Sequence, residues 1–344
     1  MTTKKIFYFY NLSAYFLFFL ALNVNASTLE EVIERDELAC GVRGGSAGFA
    51  RIDNNGEWAG LDADYCKAIA AATLKDQEKV DYRILNTAVR FSALLDEEID
   101  VLIRNTTWTY SRNVGMNIEF VGVNFYDGQG FIAWKDGVKT SLKDYGAGTK
   151  ICVEKNTSSI VNIKDYMAKH NLSYQLLEFI STDTAEDSFF ARRCELYTTD
   201  ISILASLVSQ NAINSKAYRL LNNSISKEPL GPAVRDDDPQ WKNIVRWTLY
   251  ATIEAEEKGI NSNNVDSLKK SSKDPSIRYM LGIDPGVGKI IGLDDEWVYR
   301  IIKSVGNYGE IFERNMGKKS NIGIERGLND LWTKGGLMYS PPLR

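Results

Sequence analysis

The chain has 344 residues, 25% of them charged, with a formal net charge of −4, four cysteines and one histidine. That length is enough for two lobes with separate cores, and a mildly acidic chain without a basic block argues against a nucleic-acid partner. The lone His170 excludes by counting a metal site built from several histidines, so no metal or cofactor is expected, and any catalysis is expected to rest on Asp, Glu, Lys or Tyr.

Lys4 and Lys5 precede an apolar run, Ile6 to Leu22, and the small-residue stretch Val24-Asn25-Ala26 follows it. This is the order of a secretory signal, expected to span 1–26 and to be cleaved after Ala26. The run is interrupted by Asn11 and Ser13 and is short for a bilayer span of ~20 residues. Removing the two lysines takes the net charge to −6. Cys40, Cys66, Cys152 and Cys194 fit an exported chain in an oxidising space, and sequence alone permits three pairings.

Leu29 to Glu37 reads as a short helix and Leu38 to Val42 as a buried strand, followed by a turn rich in glycine (Gly44, Gly45, Gly48). Asp62 is expected to cap a helix with Leu61, Tyr65, Ala68, Ile69 and Ala72 on one face. Val80 to Leu85 reads as a strand, Phe91 to Leu95 as a short helix and Ile99 to Ile103 as a strand. This β-α-β-α-β order predicts a parallel sheet covered by helices. The rhythm recurs in a strand at Lys150 to Val153, a helix at Ser158 to His170 and a strand at Tyr174 to Ile180. A helix at Thr184 to Arg193 and a strand from Glu195 that ends at Asp200 complete it.

Two extended stretches, Asn124 to Trp134 and Ile225 to Arg235, read as crossovers out of and back into the first unit. The expected division is therefore 27–128 and 228–344 for one lobe and 129–227 for the other, with the cleft at the C-terminal ends of the strands. The tail is mostly helical, with apolar stripes over Trp241 to Lys258 and Trp297 to Phe312. Asp284 to Lys289 hints at a phosphate loop but fails the pattern at both ends, and reads as a surface turn.

At the end of the 99–103 strand, Asn105 and Thr107 have backbone groups free of the ladder, Thr109 can cap the next turn, and Arg112 sits in that turn. Such a corner suits a carboxylate, although a capped helix bearing a surface Arg reads the same way. The second unit has a matching corner at Glu154 to Ser159, with hydroxyls on Thr157 and Ser158 at a helix N-terminus. Asp200, ending the next strand, offers one carboxylate for an ammonium group. Arg112 and Asp200 on opposite walls form the arrangement a zwitterion needs.

The order Phe91-x-Ala-Leu, Asp100, Asn105-x-Thr107, Thr109-x-x-Arg112, Asn156-Thr157-Ser158 and Asp200 resembles the polar amino-acid-binding proteins of bacterial ABC importers. DVLIRNTTWTYSR, VGVNFYDGQGF, YTTD, SKEPLGPAVR, VRWTLYA, VGNYGEIFERN and KGGLMYSPPLR are similar to the general L-amino-acid-binding branch, over the whole chain from residue 27 onward. The resemblance implies a two-lobed α/β periplasmic-binding-protein fold of type II, with two hinge crossovers and a helical C-terminal extension. It implies that Arg112 clamps a ligand α-carboxylate with help from Thr107 and from Thr157 or Ser158, and that Asp200 holds the α-ammonium with Asn105. Arg90 matches a position that reaches the ligand side chain in acidic-amino-acid binders. Ser46-Ala47 departs from the basic-amino-acid binders, which place a ring there, and Phe49 reads as core.

With two lobes, the pairs Cys40–Cys66 and Cys152–Cys194 are expected, because a bridge between lobes would obstruct closure. The implied protein is a periplasmic monomer that carries L-amino acids to an inner-membrane ABC permease and is not an enzyme. A dehydratase-like enzyme of the same fold and an amino-acid sensor for a chemoreceptor are the alternatives.

Overall fold

The computed structural model describes residues 27–135, 139–210 and 217–344, so the expected signal peptide lies outside the described residues. Two five-stranded sheets organise the described residues. The first has the order Val80–Ile84, Leu38–Val42, Val101–Leu102, Ala233–Arg235, Ile118–Phe120. Its first three strands run parallel, and Ala233–Arg235 is antiparallel to both of its neighbours. The second sheet repeats this plan as Gln175–Phe179, Lys150–Glu154, Leu196–Asp200, Gln129–Trp134, Tyr218–Leu220. Here too three parallel strands are followed by antiparallel ones. Leu38–Val42 is buried at every position, which is why a parallel strand reads as an unbroken apolar run.

Helices Leu61–Thr73 and Arg90–Leu95 serve the first sheet, and Ser158–His170, Thr182–Phe190 and Ile201–Gln210 serve the second. The second lobe has one apolar cluster on each face of its sheet, around Phe131 and Val153 and around Phe189 and Tyr197. The first lobe and the tail share a larger core that includes Phe49, Ile69, Trp241 and Phe312. Cys40 is bonded to Cys66 and Cys152 to Cys194, one disulfide in each lobe.

Between the lobes, Phe125–Asp127 and Glu228–Leu230 pair antiparallel as a two-stranded ribbon. The two crossovers pass so closely at Gly231 that a Cβ there would lie 2.0 Å from the Gly122 carbonyl oxygen. Trp108 N donates to Pro229 O at 2.8 Å and Gly231 N to Thr106 O at 3.1 Å, which ties the ribbon to the end of the Val101–Leu102 strand.

The tail begins with helix Pro239–Glu257, capped by Asp238 and buried along Trp241, Ile244, Val245, Thr248, Leu249 and Ile253. No helix among the described residues is long and apolar enough to cross a membrane. Three details differ from the sequence reading. The strand expected over 99–103 is paired only at Val101–Leu102, because the chain turns away at Asn105, whose φ is 34°. The stripe over Trp297 to Phe312 is two helices, Trp297–Ser304 and Tyr308–Asn315, broken at Gly306 (φ 96°) and restarted by an Asn307 cap. Asp62 does not cap its helix. Gly60 stands at that position and Asp62 lies buried in the first turn. The Asp284 to Lys289 segment is a turn whose Gly286 and Gly288 N–H groups donate inward to Asp295 Oδ1, at 3.0 and 2.9 Å.

Candidate functional site

The two parallel-sheet units end their strands at the same place, and a cavity of about 40 Å³ lies between those ends. Arg90, Asn105, Thr107, Arg112, Thr157, Ser158 and Asp200 all line it. Larger hollows elsewhere, of about 620 and 690 Å³, are open to solvent and contain none of these residues.

Each corner starts with an asparagine in the left-handed region, Asn105 at φ 34° and Asn156 at φ 60°, a conformation that Asn tolerates better than most residues. At Asn105 the turn aims the amide into the cavity. Its N–H donates to Asp62 Oδ2 at 2.8 Å, its Nδ2 reaches Asp200 Oδ2 at 3.5 Å, and its Oδ1 is buried with no partner. Thr109 caps the helix Tyr110–Gly115 by accepting from Arg112 N, and Arg112 Nη1 donates to Thr107 O at 2.7 Å. The Phe91 ring lies 5.6 Å from the Arg112 guanidinium and 4.7 Å from that of Arg90.

Across the cavity, helix Ser158–His170 starts at Thr157 without a side-chain cap, because the Thr157 hydroxyl donates to Glu154 O at 2.8 Å. The first N–H groups of that helix are left to an anion. Asp200 ends its strand 6% exposed. Burial, then the neighbouring Asp127 and Glu228, push its carboxyl well above the usual carboxylate range. Arg90 is 4% exposed and its Nε has no partner. Burial, then the charges of Arg112 and Arg104, push its guanidinium well below its ordinary value. Burial also lowers Arg112. Each of these groups is held in a state that an oppositely charged guest would relieve.

Several residues at the site escaped the sequence reading. Arg43, Thr87, Arg104 and Thr199 are among them, and with Glu154 and Ser159 of the expected second corner they complete the cavity wall, which brings four guanidiniums against two carboxylates, Glu154 and Asp200. Arg104 is pinned by Leu85 O at 2.7 Å and the Thr87 hydroxyl at 3.1 Å, and burial pushes it down to about 10. The Thr87 hydroxyl donates across the cleft to Glu154 Oε1 at 2.7 Å. Glu228, 1% exposed in the ribbon, accepts from Thr107 and Ser158, one on each wall, at 2.6 and 2.9 Å. It also accepts from Asn162 and Ser226, each at 2.6 Å. The one available signal for Glu228 was its place in a crossover; a lone Glu before Pro otherwise reads as surface.

A cleft with walls from separate sheets and a two-stranded hinge for its floor is the build of a solute-binding protein with the type II periplasmic-binding-protein fold. Comparison with known proteins narrows the class. The chain belongs to the bacterial extracellular solute-binding proteins, family 3, whose model matches residues 38–258. It is 47% identical over 323 residues to the general L-amino acid-binding periplasmic protein AapJ of Rhizobium johnstonii, covering 93% of this chain and 94% of that one. It is 45% identical over 321 residues to the glutamate/glutamine/aspartate/asparagine-binding protein BztA of Rhodobacter capsulatus, with the same coverage. A solved ABC transporter periplasmic binding protein from Brucella ovis, with glutathione bound, superposes with a TM-score of 0.89 at 44% identity, covering 93% of this chain and all of that one.

Proposed function

We propose that this protein is a periplasmic receptor that closes on L-amino acids and delivers them to an inner-membrane ABC permease. The observation that carries the reading is the pair of buried, unsatisfied atoms facing one cavity, Asn105 Oδ1 beside Asp200 and Arg90 Nε near Arg112. An L-amino acid answers both, its ammonium reaching Asn105 Oδ1 and an acidic or carboxamide side chain reaching Arg90. Its ammonium sits between Asp200 and Asn105, and its carboxylate lies against Arg112 and the open helix start after Thr157, the Thr107 and Ser158 hydroxyls being held by Glu228. Arg90, with Arg43 and Arg104 beyond it, is left to face the ligand side chain. The excess of guanidinium favours acidic and carboxamide side chains within a broad range.

The names of the relatives support this ligand class and name binding proteins rather than enzymes, and the Brucella ovis protein, an ABC transporter binding protein, supports the transporter partner. The two sheets support the division into 27–128 with 228–344 and 129–227. A cleavable signal over 1–26 would deliver the chain to the periplasm, where it acts as a monomer. Calorimetric titration against the twenty L-amino acids tests the proposal, with glutamate and glutamine expected among the tightest ligands. Failure of every amino acid to bind would overturn it.

A further inference from the structure

Asn329 ends the short turn Gly327–Asn329 in the C-terminal segment and is 4% exposed. Its side chain meets the outer edge of the hinge ribbon. Tyr126 N donates to Asn329 Oδ1 at 2.6 Å, and Asn329 Nδ2 donates to Tyr126 O at 3.0 Å. One amide therefore pairs with both backbone groups of one residue, as a neighbouring strand would. Opposite Tyr126 in the ribbon stands Pro229, which has no N–H and whose carbonyl is taken on the other edge by Trp108 N. The ribbon is held between the tail amide on one side and the strand end bearing Thr107 on the other.

A second link runs beside the first. The buried Tyr308 hydroxyl donates to Asn124 O at 2.9 Å, just before the ribbon. Asn124 Nδ2 donates to Asp62 Oδ1 at 3.2 Å, and Asp62 Oδ2 holds the N–H of Asn105 in the ammonium corner. Asn329 is itself anchored. Arg326 Nε donates to Asn329 O at 2.9 Å, and the same guanidinium makes a two-pronged pair with Glu256 at 3.2 and 3.1 Å. Glu256 belongs to the long helix Pro239–Glu257, so the brace stands on the first lobe's core.

We propose that Asn329 and Tyr308 are positioning residues through which the C-terminal segment sets the hinge angle, and with it ligand affinity. An isolated two-stranded ribbon is marginally stable, so its twist is set by what flanks it. Here the flanks are the tail and the binding wall. Releasing the tail side lets the lobes rest wider apart, and a ligand must then bind against that preference. The inference rests on the proposed closure around a ligand.

The test uses the full exported chain with its disulfides intact. Reporter dyes at Glu97→Cys and Lys169→Cys, exposed sites on separate lobes, read the interlobe distance by energy transfer. Titration with L-glutamate reads the Kd. Asn329→Ala and Tyr308→Phe should each widen the unliganded distance and raise the Kd, the former by roughly tenfold. Asn329→Asp, which keeps the acceptor but sets a second oxygen against Tyr126 O, should widen the distance and raise the Kd at least as much as Asn329→Ala. Wild-type distances and affinities accompanied only by a lower Tm would overturn the proposal, since a merely structural role predicts that result. Should Asn329→Ala fail to fold, Tyr308→Phe, which keeps its ring, decides alone. Should the wild type bind no amino acid, the ligand reading fails and the unliganded distances still decide the hinge.

Discussion

Asp200→Asn separates binding from stability at the centre of the site. Among the described residues, Asn105 Nδ2 at 3.5 Å is the one side-chain donor that reaches the Asp200 carboxylate. Burial and the nearby Asp127 and Glu228 already hold its pKa high, so in the empty cleft the ionised form is the disfavoured one. A carboxyl raised in the folded state subtracts stability as the pH climbs past its unfolded value. The neutral, nearly isosteric Asn removes that penalty, so the ligand-free Tm should hold or rise, by roughly 2 °C if the gain is about 1 kcal/mol. Binding should move the other way. Truncating one partner of a desolvated charge pair costs about 2–5 kcal/mol, which is roughly thirty- to four-thousandfold in Kd. Calorimetry with L-glutamate and a melting curve on the same preparation read both quantities. A Kd within about threefold of wild type, or a ligand-free Tm several degrees lower, would refute the reasoning.

Arg112→Ala removes the proposed carboxylate clamp and should weaken binding by about a hundredfold or more with an unchanged circular dichroism spectrum; retained affinity would reassign the carboxylate to other groups. Arg90→Ala should lower affinity for glutamate roughly tenfold more than for alanine, and an equal loss for both would remove Arg90 from the side-chain subsite. Because an ammonium lowers a carboxyl pKa that the empty cleft raises, binding should release a proton. Affinity should therefore climb as the pH rises above the ordinary carboxylate range, with proton release visible in buffers of different ionisation heat; a flat profile counts against the Asp200 pairing. Losing the Cys40–Cys66 or Cys152–Cys194 bridge, separated by 26 and 42 residues, should cost about 3–4 kcal/mol each by loop entropy, measured by urea unfolding of the paired Ser variants.

The parts of the fold legible in the sequence were those set by local pattern. The central parallel strands, Leu38–Val42 and Lys150–Glu154, show as apolar runs, the Ser158–His170 helix as a periodic stripe, and the disulfides follow once each cysteine has a lobe. The proposed ligand residues were legible because strand ends and helix starts put them next to recognisable punctuation. Glu228 was not, because its burial depends on donors from Thr107, Ser158 and Asn162, far away in sequence. Asp62 was misread as a cap for a similar reason. An acid near a helix start looks like a cap until Asn105 and Asn124 arrive from distant segments to claim both its oxygens. The break at Gly306 was visible as a glycine, but an uninterrupted apolar stripe on both sides concealed it.

The placement of Ala233–Arg235 has a consequence for the order in which the molecule can assemble. That strand sits between Val101–Leu102 and Ile118–Phe120, so the latter joins its sheet only through residues made much later. The first lobe therefore cannot complete its sheet until the entire second lobe has been synthesised. Pairings over such separations form slowly, because the closure entropy precedes the reward. For a chain exported as proposed, that delay keeps the nascent polypeptide threadable through a narrow pore, and the native topology is locked only on the far side.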